Sequence, residues 1–141
     1  MQGTMKTAVM TGLKELEWEQ RPIPVPSKGE VLVRVEHVGI CGSDLHYYEQ
    51  GAIGDFKVSF PFVLGHEAAG TVVEIGEGVT DLAVGDRVAM EPGKTCGQCI
   101  YCKTGRYNLC PDVEFFATPP IDGVFLSLIH ISEPTRPISI S

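Results

Sequence analysis

The chain has 141 residues, of which 43% are hydrophobic and 21% charged, and its formal net charge is −7. This length suits one domain with a sizeable core, and the acidic charge argues against nucleic acid or an anionic membrane surface as a partner. The sequence has no apolar run of membrane-spanning length and no export signal at its N-terminus, so we expect a cytoplasmic protein in a reducing compartment.

The hydrophobic pattern predicts short strands joined by tight turns, in keeping with 16 glycines and 10 prolines. In chain order the predicted strands cover residues 6–10, 16–20, 30–40, 67–76 and 85–90. A turn at Thr11-Gly12 separates the first two strands, and the proline-containing residues 21–26 form an extended connection. The third strand places Val31, Val33 and Val35 on one face, which predicts a half-buried strand.

One short helix is predicted after Gly42, with Ser43 or Asp44 as its N-cap. No longer helical pattern is visible. The elements together indicate a mostly β fold, a barrel or a sandwich, whose loops carry the functional side chains.

Four of the five cysteines lie within the segment CGQCIYCKTGRYNLC, as Cys96, Cys99, Cys102 and Cys110. Four thiolates can close a tetrahedral zinc site that has no open position, which makes such a site structural. Gly97 and Gly105 allow the backbone to curl around a shared centre, and the cations Lys94, Lys103 and Arg106 can offset the thiolate charge.

Two other interpretations of the cluster are weaker than zinc. An iron–sulfur cluster of the bacterial type has three residues before its last cysteine, whereas this sequence has seven. Disulfides are disfavoured because the compartment is expected to be reducing.

The fifth cysteine, Cys41, lies in GICGSDLHYY, and His66-Glu67 lies further along in PFVLGHEAAG. A thiolate, an imidazole and a carboxylate are the mixed ligands of a catalytic zinc that keeps one position open. Taken alone these residues are weak evidence, because a lone cysteine is more often buried filler and a lone His-Glu pair more often a surface pair.

Three segments in succession resemble the zinc-dependent medium-chain dehydrogenases: GICGSDLHYY, VLGHEAAGTVVEIGEGV and VGDRVAMEPGKTCGQCIYCKTGRYNLC. A fourth, YNLCPDVEFFATPPIDG, is similar to the polyol branch of that family, the sorbitol, iditol and xylitol dehydrogenases. The resemblance covers about residues 5–125. It implies that these residues form an incomplete GroES-like β-barrel catalytic domain.

The resemblance also implies roles for individual residues. The catalytic zinc would be held by Cys41, His66 and Glu67, and the structural zinc by Cys96, Cys99, Cys102 and Cys110. Ser43 and His46 correspond to a proton relay. Asp44 corresponds to the carboxylate that orients His66. Positions lining the polyol pocket correspond to Tyr47, Ile53, Phe56, Phe115 and Thr118, although core packing is the simpler interpretation for Ile53 and Phe56.

The activity implied is oxidation of a polyol or secondary alcohol to a ketose or ketone, with zinc as Lewis acid and hydride transfer to NAD(P). The complete enzyme would be a homo-oligomer acting on a small molecule. Because no GxGxxG motif occurs in the sequence, NAD(P) binding is expected only in the complete enzyme. The 141-residue chain alone is expected to be inactive and largely insoluble.

The resemblance stops after Phe125. The next residues, LSLIHISEPTR at 126–136, match the translation of a transposase-type sequencing adapter. They show no hydrophobic periodicity and contain Pro134. We therefore predict that residues 126–141 are a non-native, adapter-derived tail; the alternative is a genuine divergent tail.

Two alternative functions need weighing. A stand-alone interaction module built on the four-cysteine zinc site would have no use for a second, open zinc at Cys41. Relatives of the same fold that lack zinc, of the crystallin or quinone-reductase type, would not keep a complete ligand set. The enzymatic interpretation is the one that uses all five cysteines.

Overall fold

The computed structural model describes residues 1–132 and 136–137, and most of its regular structure is β-strand. The strands are β1 (Thr4–Gly12), β2 (Glu15–Pro22), β3 (Glu30–Gly39), β4 (Ala52–Ile53), β5 (Phe56–Lys57), β6 (Glu67–Ile75), β7 (Arg87–Ala89), β8 (Gly93–Lys94), β9 (Glu114–Phe115), β10 (Leu128–Ser132) and β11 (Arg136–Pro137). The helices are α1 (Gly42–Gln50), α2 (Ile100–Lys103) and a 3-10 turn (Tyr107–Leu109). The mostly β prediction is confirmed. Within these residues no helix combines the length and the apolar character needed to cross a membrane.

A five-stranded antiparallel sheet forms the centre, in the order β10-β3-β6-β7-β11. Its longest pairing joins β3 to β6, in a register that runs from Val31 opposite Ile75 to Gly39 opposite Glu67. The end of β3 therefore lies beside the start of β6. This juxtaposition decides where the loops after β3 and before β6 meet.

The hairpin of β1 and β2 lies against this sheet and is attached through β1. Single backbone bridges join Thr7 to Leu126 and Met10 to Phe62. The predicted turn at Thr11-Gly12 is wrong, since β1 continues to Gly12 and the chain turns at residues 13–14. The pairing shifts register between Met10 and Gly12, and Lys14 takes a left-handed conformation with φ 61° that reverses the chain.

The core lies on both sides of the first half of β3. Val31 and Val33 belong to the main apolar cluster, whose other buried members are Val72, Leu82, Val88, Met90, Val124, Ile129 and Ile131. Leu32 points the other way but is equally buried, in a second cluster with Met5 and Leu128. The prediction of a half-buried strand is therefore wrong for this half, because β1 contributes Met5 to the face that was expected to meet solvent.

The segment after Phe125 forms an edge strand although its sequence showed no strand periodicity. β10 pairs with β3 from Leu128 opposite Arg34 to Ser132 opposite Glu30, and Leu128, Ile129 and Ile131 are buried. A segment of any origin can pair with a neighbouring strand and bury apolar side chains, provided that its residues suit a strand. The non-native tail thus stays a prediction, and its residues 133–135 and 138–141 lie outside the described part of the chain.

Replacing the buried leucine of β3 tests this packing. Leu32→Ala removes a fully buried side chain and is expected to lower the free energy of unfolding by about 2–5 kcal/mol. The matched control is Leu16→Ala on β2, where 48% of the residue is exposed, with an expected change within about 0.5 kcal/mol. Urea unfolding of each variant measures both values, and equal values for the two variants would contradict burial on both faces of β3.

Candidate metal centres

The β3–β6 register brings Cys41 to His66 and Glu67. Cys41 follows the end of β3 by two residues, while Glu67 opens β6 opposite Gly39. As a result the ligand atoms of Cys41, His66 and Glu67 all lie within 4.8 Å of one another. Residues that are 25 positions apart in the sequence thus form one compact group, here called the open centre.

Gly39 leaves room for the Glu67 carboxylate. A Cβ atom at position 39 would overlap that carboxylate, because the Glu67 side chain lies directly over the backbone of its strand partner. A larger residue at this position would displace the Glu67 carboxylate from its place beside Cys41 and His66.

The segment that carries His66 is held from two directions. On one side Phe62 exchanges backbone hydrogen bonds with Met10 of β1, at 2.7 and 3.0 Å. On the other side, residues 123–125 donate three backbone hydrogen bonds of 2.7–3.0 Å to the carbonyls of residues 63–65. Residues 62–65, which precede His66, are therefore held in place by backbone hydrogen bonds although they belong to no named strand.

Asp44 links the two loops of the open centre. It is 2% exposed, and its carboxylate accepts the backbone N–H of Cys41 and of Gly65, each at 3.0 Å. The same carboxylate lies 3.6 Å from Nδ1 of His66. One buried carboxylate thus contacts the loop of the cysteine and the loop of the histidine.

The start of α1 differs from the prediction. The N-cap is Cys41, not Ser43 or Asp44, and the helix begins at Gly42. Asp44 is the third residue of the helix and reaches back to the N–H of the cap residue, as the acidic member of a capping box does. The sequence contained this signal as an acidic residue three positions after the true cap.

The two ring nitrogens of His66 face two different carboxylates. Nδ1 faces Asp44, whereas Nε2 lies 4.0 Å from a carboxylate oxygen of Glu67. The His66 side chain is 15% exposed and that of Glu67 is 54% exposed, so one side of the group faces solvent. A sulfur, a nitrogen and an oxygen ligand with one accessible side fit a zinc ion that keeps a free coordination position.

The predicted relay residues both lie on α1. Ser43 is half-buried near the start of the helix, and His46 is exposed three positions later. Residues at this spacing are neighbours on a helix surface. Ser43 is therefore the less exposed member of the pair and His46 the more exposed one.

The five residues assigned to the polyol pocket lie in different environments. Tyr47 is buried with Met10, Phe62 and Leu64, and this burial raises its pKa; Ile53 packs against the same cluster. Phe56 is 52% exposed and Thr118 is half-buried. Phe115 lies beside the open centre, since its ring centroid is 5.7 Å from that of His66.

The second group, here called the four-cysteine lobe, is made of local chain. The sulfur atoms of Cys96, Cys99, Cys102 and Cys110 all lie within 4.8 Å of one another. Gly97 and Gly105 both take left-handed conformations, with φ 72° and 79°, which confirms the predicted curl of the backbone. Four sulfurs this close together fit a closed tetrahedral zinc site.

Backbone N–H groups give the four thiols different acidities. The N–H groups of Gln98 and Cys99 each donate to Sγ of Cys96 at 3.4 Å and lower its pKa to about 6. Cys110 accepts the N–H of Cys96, which lowers its pKa, but burial and the hydrogen bonds of neighbouring thiols outweigh this and raise the pKa to about 11. Without a metal, one exposed member of the lobe is therefore a thiolate at neutral pH and the buried member is not.

Glu30 is a buried carboxylate at the foot of the lobe that the sequence patterns did not single out. Burial raises the pKa of Glu30, but the hydrogen bond from the N–H of Ser27 and the contacts with His130 and the Lys94 ammonium group outweigh it, and the net pKa is below the ordinary value. Lys94 is bound to Glu30 at 3.3 Å, so its charge is not reserved for the thiolates as predicted. The available signal was an acidic residue opening an otherwise apolar strand.

Comparison with known proteins gives consistent similarities. The family model of the alcohol dehydrogenase GroES-like domain matches residues 27–136. The chain is 55% identical over 129 residues to sorbitol dehydrogenase of Bacillus subtilis, covering 92% of this chain and 36% of that protein. It is 60% identical over 109 residues to sorbitol dehydrogenase of Gallus gallus, covering 77% of this chain and 31% of that protein.

A solved structure is similar over nearly the whole chain. This is an Escherichia coli oxidoreductase/dehydrogenase of unknown specificity, with a TM-score of 0.88 and 41% identity, covering 97% of this chain and 40% of that one. The chain thus spans about a third of the length of the curated relatives it matches.

The acidity of Cys96 can be tested by alkylation. In the metal-free chain we expect iodoacetamide to modify Cys96 first, because a pKa of about 6 leaves most of this thiol ionised at pH 7. Its rate should rise up to about pH 7 and then level off. The control is Cys110, which should stay unmodified below about pH 9, since burial and a pKa of about 11 keep it protonated. Peptide mass spectrometry follows both sites, and equal rates at pH 7 would contradict the assignment.

Proposed function

Because this chain belongs to the alcohol dehydrogenase GroES-like domain family, we propose that it supplies the catalytic domain of a zinc-dependent oxidoreductase. The reaction proposed is oxidation of a polyol or secondary alcohol to a ketose or ketone, with hydride transfer to NAD(P). The observation that carries this proposal is the convergence of Cys41, His66 and Glu67 within 4.8 Å. Two curated relatives are sorbitol dehydrogenases, which favours a polyol as substrate.

Cys41, His66 and Glu67 would hold the catalytic zinc. When bound, zinc supplies Lewis acidity that makes an alcohol easier to deprotonate near neutral pH. Asp44 keeps Nδ1 of His66 facing its carboxylate, which leaves Nε2 for the metal side. The exposed side of Glu67 is where the substrate would enter.

Ser43 and His46 would carry the proton away from the alcohol. Ser43 is half-buried and follows the proposed zinc ligand Cys41 by two residues. His46 is exposed and lies one turn further along α1. A hydroxyl can pass a proton without being a strong base itself, and an exposed imidazole can exchange it with water. The helix therefore offers a short path from the interior to solvent.

We assign the polyol pocket to Tyr47, Ile53, Phe56, Phe115 and Thr118. Phe115 beside His66 would cover one side of the reacting carbon. Tyr47 and Thr118 bring hydroxyls that could bind a polyol chain. Ile53 and Phe56 would contribute apolar surface.

We propose that the complete enzyme, like the relatives, is longer than this chain, and that its further residues bind the nicotinamide cofactor. No GxGxxG occurs in the sequence, so NAD(P) would bind to a dinucleotide-binding domain of the complete enzyme. The complete enzyme is proposed to be a cytoplasmic homo-oligomer that acts on a small molecule and binds neither nucleic acid nor membrane. The four-cysteine lobe would hold a structural zinc in it.

The domain assignment is also a proposal. Residues 5–125 would be the incomplete catalytic domain, and residues 126–141 the adapter-derived tail. Sequencing of the source genomic DNA across the codon for Phe125 tests this. We expect the family sequence to continue from that codon, whereas a genomic read that runs unbroken into LSLIHISEPTR would overturn the proposal.

Paired cysteine substitutions test the proposed function in the full-length enzyme. Cys41→Ser is expected to abolish alcohol oxidation while one zinc per chain, that of the four-cysteine lobe, remains. The matched control is Cys99→Ser, which should instead remove the zinc of the lobe. Turnover and zinc content by elemental mass spectrometry are measured together. If Cys41→Ser keeps full turnover, the open centre is not catalytic and the proposed role of Cys41 as a ligand of the catalytic zinc is overturned.

A further inference from the structure

Glu30 is a buried carboxylate that binds three separate parts of the chain. It opens β3 and is 6% exposed. One carboxylate oxygen accepts the backbone N–H of Ser27 at 3.1 Å and lies 3.0 Å from Nδ1 of His130, and the other accepts Nζ of Lys94 at 3.3 Å. A buried carboxylate without partners would be costly, so these contacts explain how β3 tolerates a charge at the edge of the core.

Lys94 marks the point where the chain enters the four-cysteine lobe. It ends β8, and Cys96 follows two residues later. β8 pairs with β9, with Gly93 opposite Phe115 and Lys94 opposite Glu114. The chain therefore enters and leaves the lobe through one two-stranded stem, and Lys94 belongs to that stem.

The same stem reaches the open centre. Phe115 of β9 places its ring 5.7 Å from the ring of His66. A contact at one end of the stem can thus affect both candidate metal centres, because two short strands are all that separate Lys94 from Phe115.

We propose that Glu30 is a positioning residue that fixes the stem of the four-cysteine lobe to the central sheet through Lys94, and so also keeps Phe115 against His66. This inference rests on the proposed function in one respect, that the lobe holds zinc. Glu30 itself would touch neither metal nor substrate. Its effect would be to restrict the motion of the stem and slow the opening of the lobe.

The expected effect is modest because the Lys94 side chain is 56% exposed and its ion pair is screened by solvent. Pairs of this kind change equilibria by about two- to fivefold. Loss of the pair should therefore speed zinc release from the lobe by about that factor without emptying it.

The test measures zinc release in the full-length enzyme, loaded with Zn²⁺ and carrying Cys41→Ser so that released zinc comes from the lobe alone. A chromogenic chelator follows release from Lys94→Met, Glu30→Gln and the double variant. The matched control is Glu36→Gln on the same strand, an exposed carboxylate bound by Thr71 and Arg34. We expect two- to fivefold faster release in each single variant, no further increase in the double variant and no change in the control.

Lys94→Met alone decides the outcome if Glu30→Gln fails to fold, since it removes only an exposed ammonium group. Release from Lys94→Met at the rate of the parent chain would overturn the inference, as would equal acceleration by Glu36→Gln. A parent chain that binds no zinc at all would instead contradict the proposed zinc site of the lobe. The two failures are therefore distinguishable.

Discussion

The bonds of the Asp44 carboxylate to the backbone N–H groups of Cys41 and Gly65 are the constraint on which the open centre depends. Each loop carries one proposed ligand. Among the described residues, Asp44 is the side chain that hydrogen-bonds to the backbone of both loops. Because the carboxylate is buried, its hydrogen bonds meet little competition from water. The same group faces Nδ1 of His66, so loop position and ring orientation are set by one side chain.

The wider frame for this contact is the register of β3 against β6. Because side chains alternate along a strand, a shift by one residue would turn the Glu67 side chain to the other face of the sheet and away from Cys41. The buried valines on β3 and β6 oppose such a shift, since it would carry them out of the main cluster. Core packing and site geometry are thus enforced by the same pairing.

The longer strands and the four-cysteine lobe could be predicted, because alternating apolar residues and clustered cysteines are local signals, whereas the open centre was predicted only through the family resemblance, since its ligands lie far apart in the sequence. The corrections to the strand burial, the helix cap and the turn concern contacts that hydrophobic periodicity alone does not specify. Burial of Leu32 depends on Met5 of β1, the cap at Cys41 depends on which residue Asp44 reaches, and the turn at residues 13–14 depends on where β1 stops pairing. Glu30 escaped notice for the same reason, since its partners lie 64 and 100 residues away.

The two centres differ in how much chain must be ordered before their ligands meet. The four sulfurs of the lobe lie within 15 consecutive residues, so a short loop can close around an ion at small entropic cost while the rest of the chain is still unfolded. The thiol at position 41 and the imidazole at position 66 meet only after two strands have paired in register. A complete chain that refolds from the unfolded state would therefore acquire its sulfur-bound ion first, and the second ion would report that the sheet has assembled.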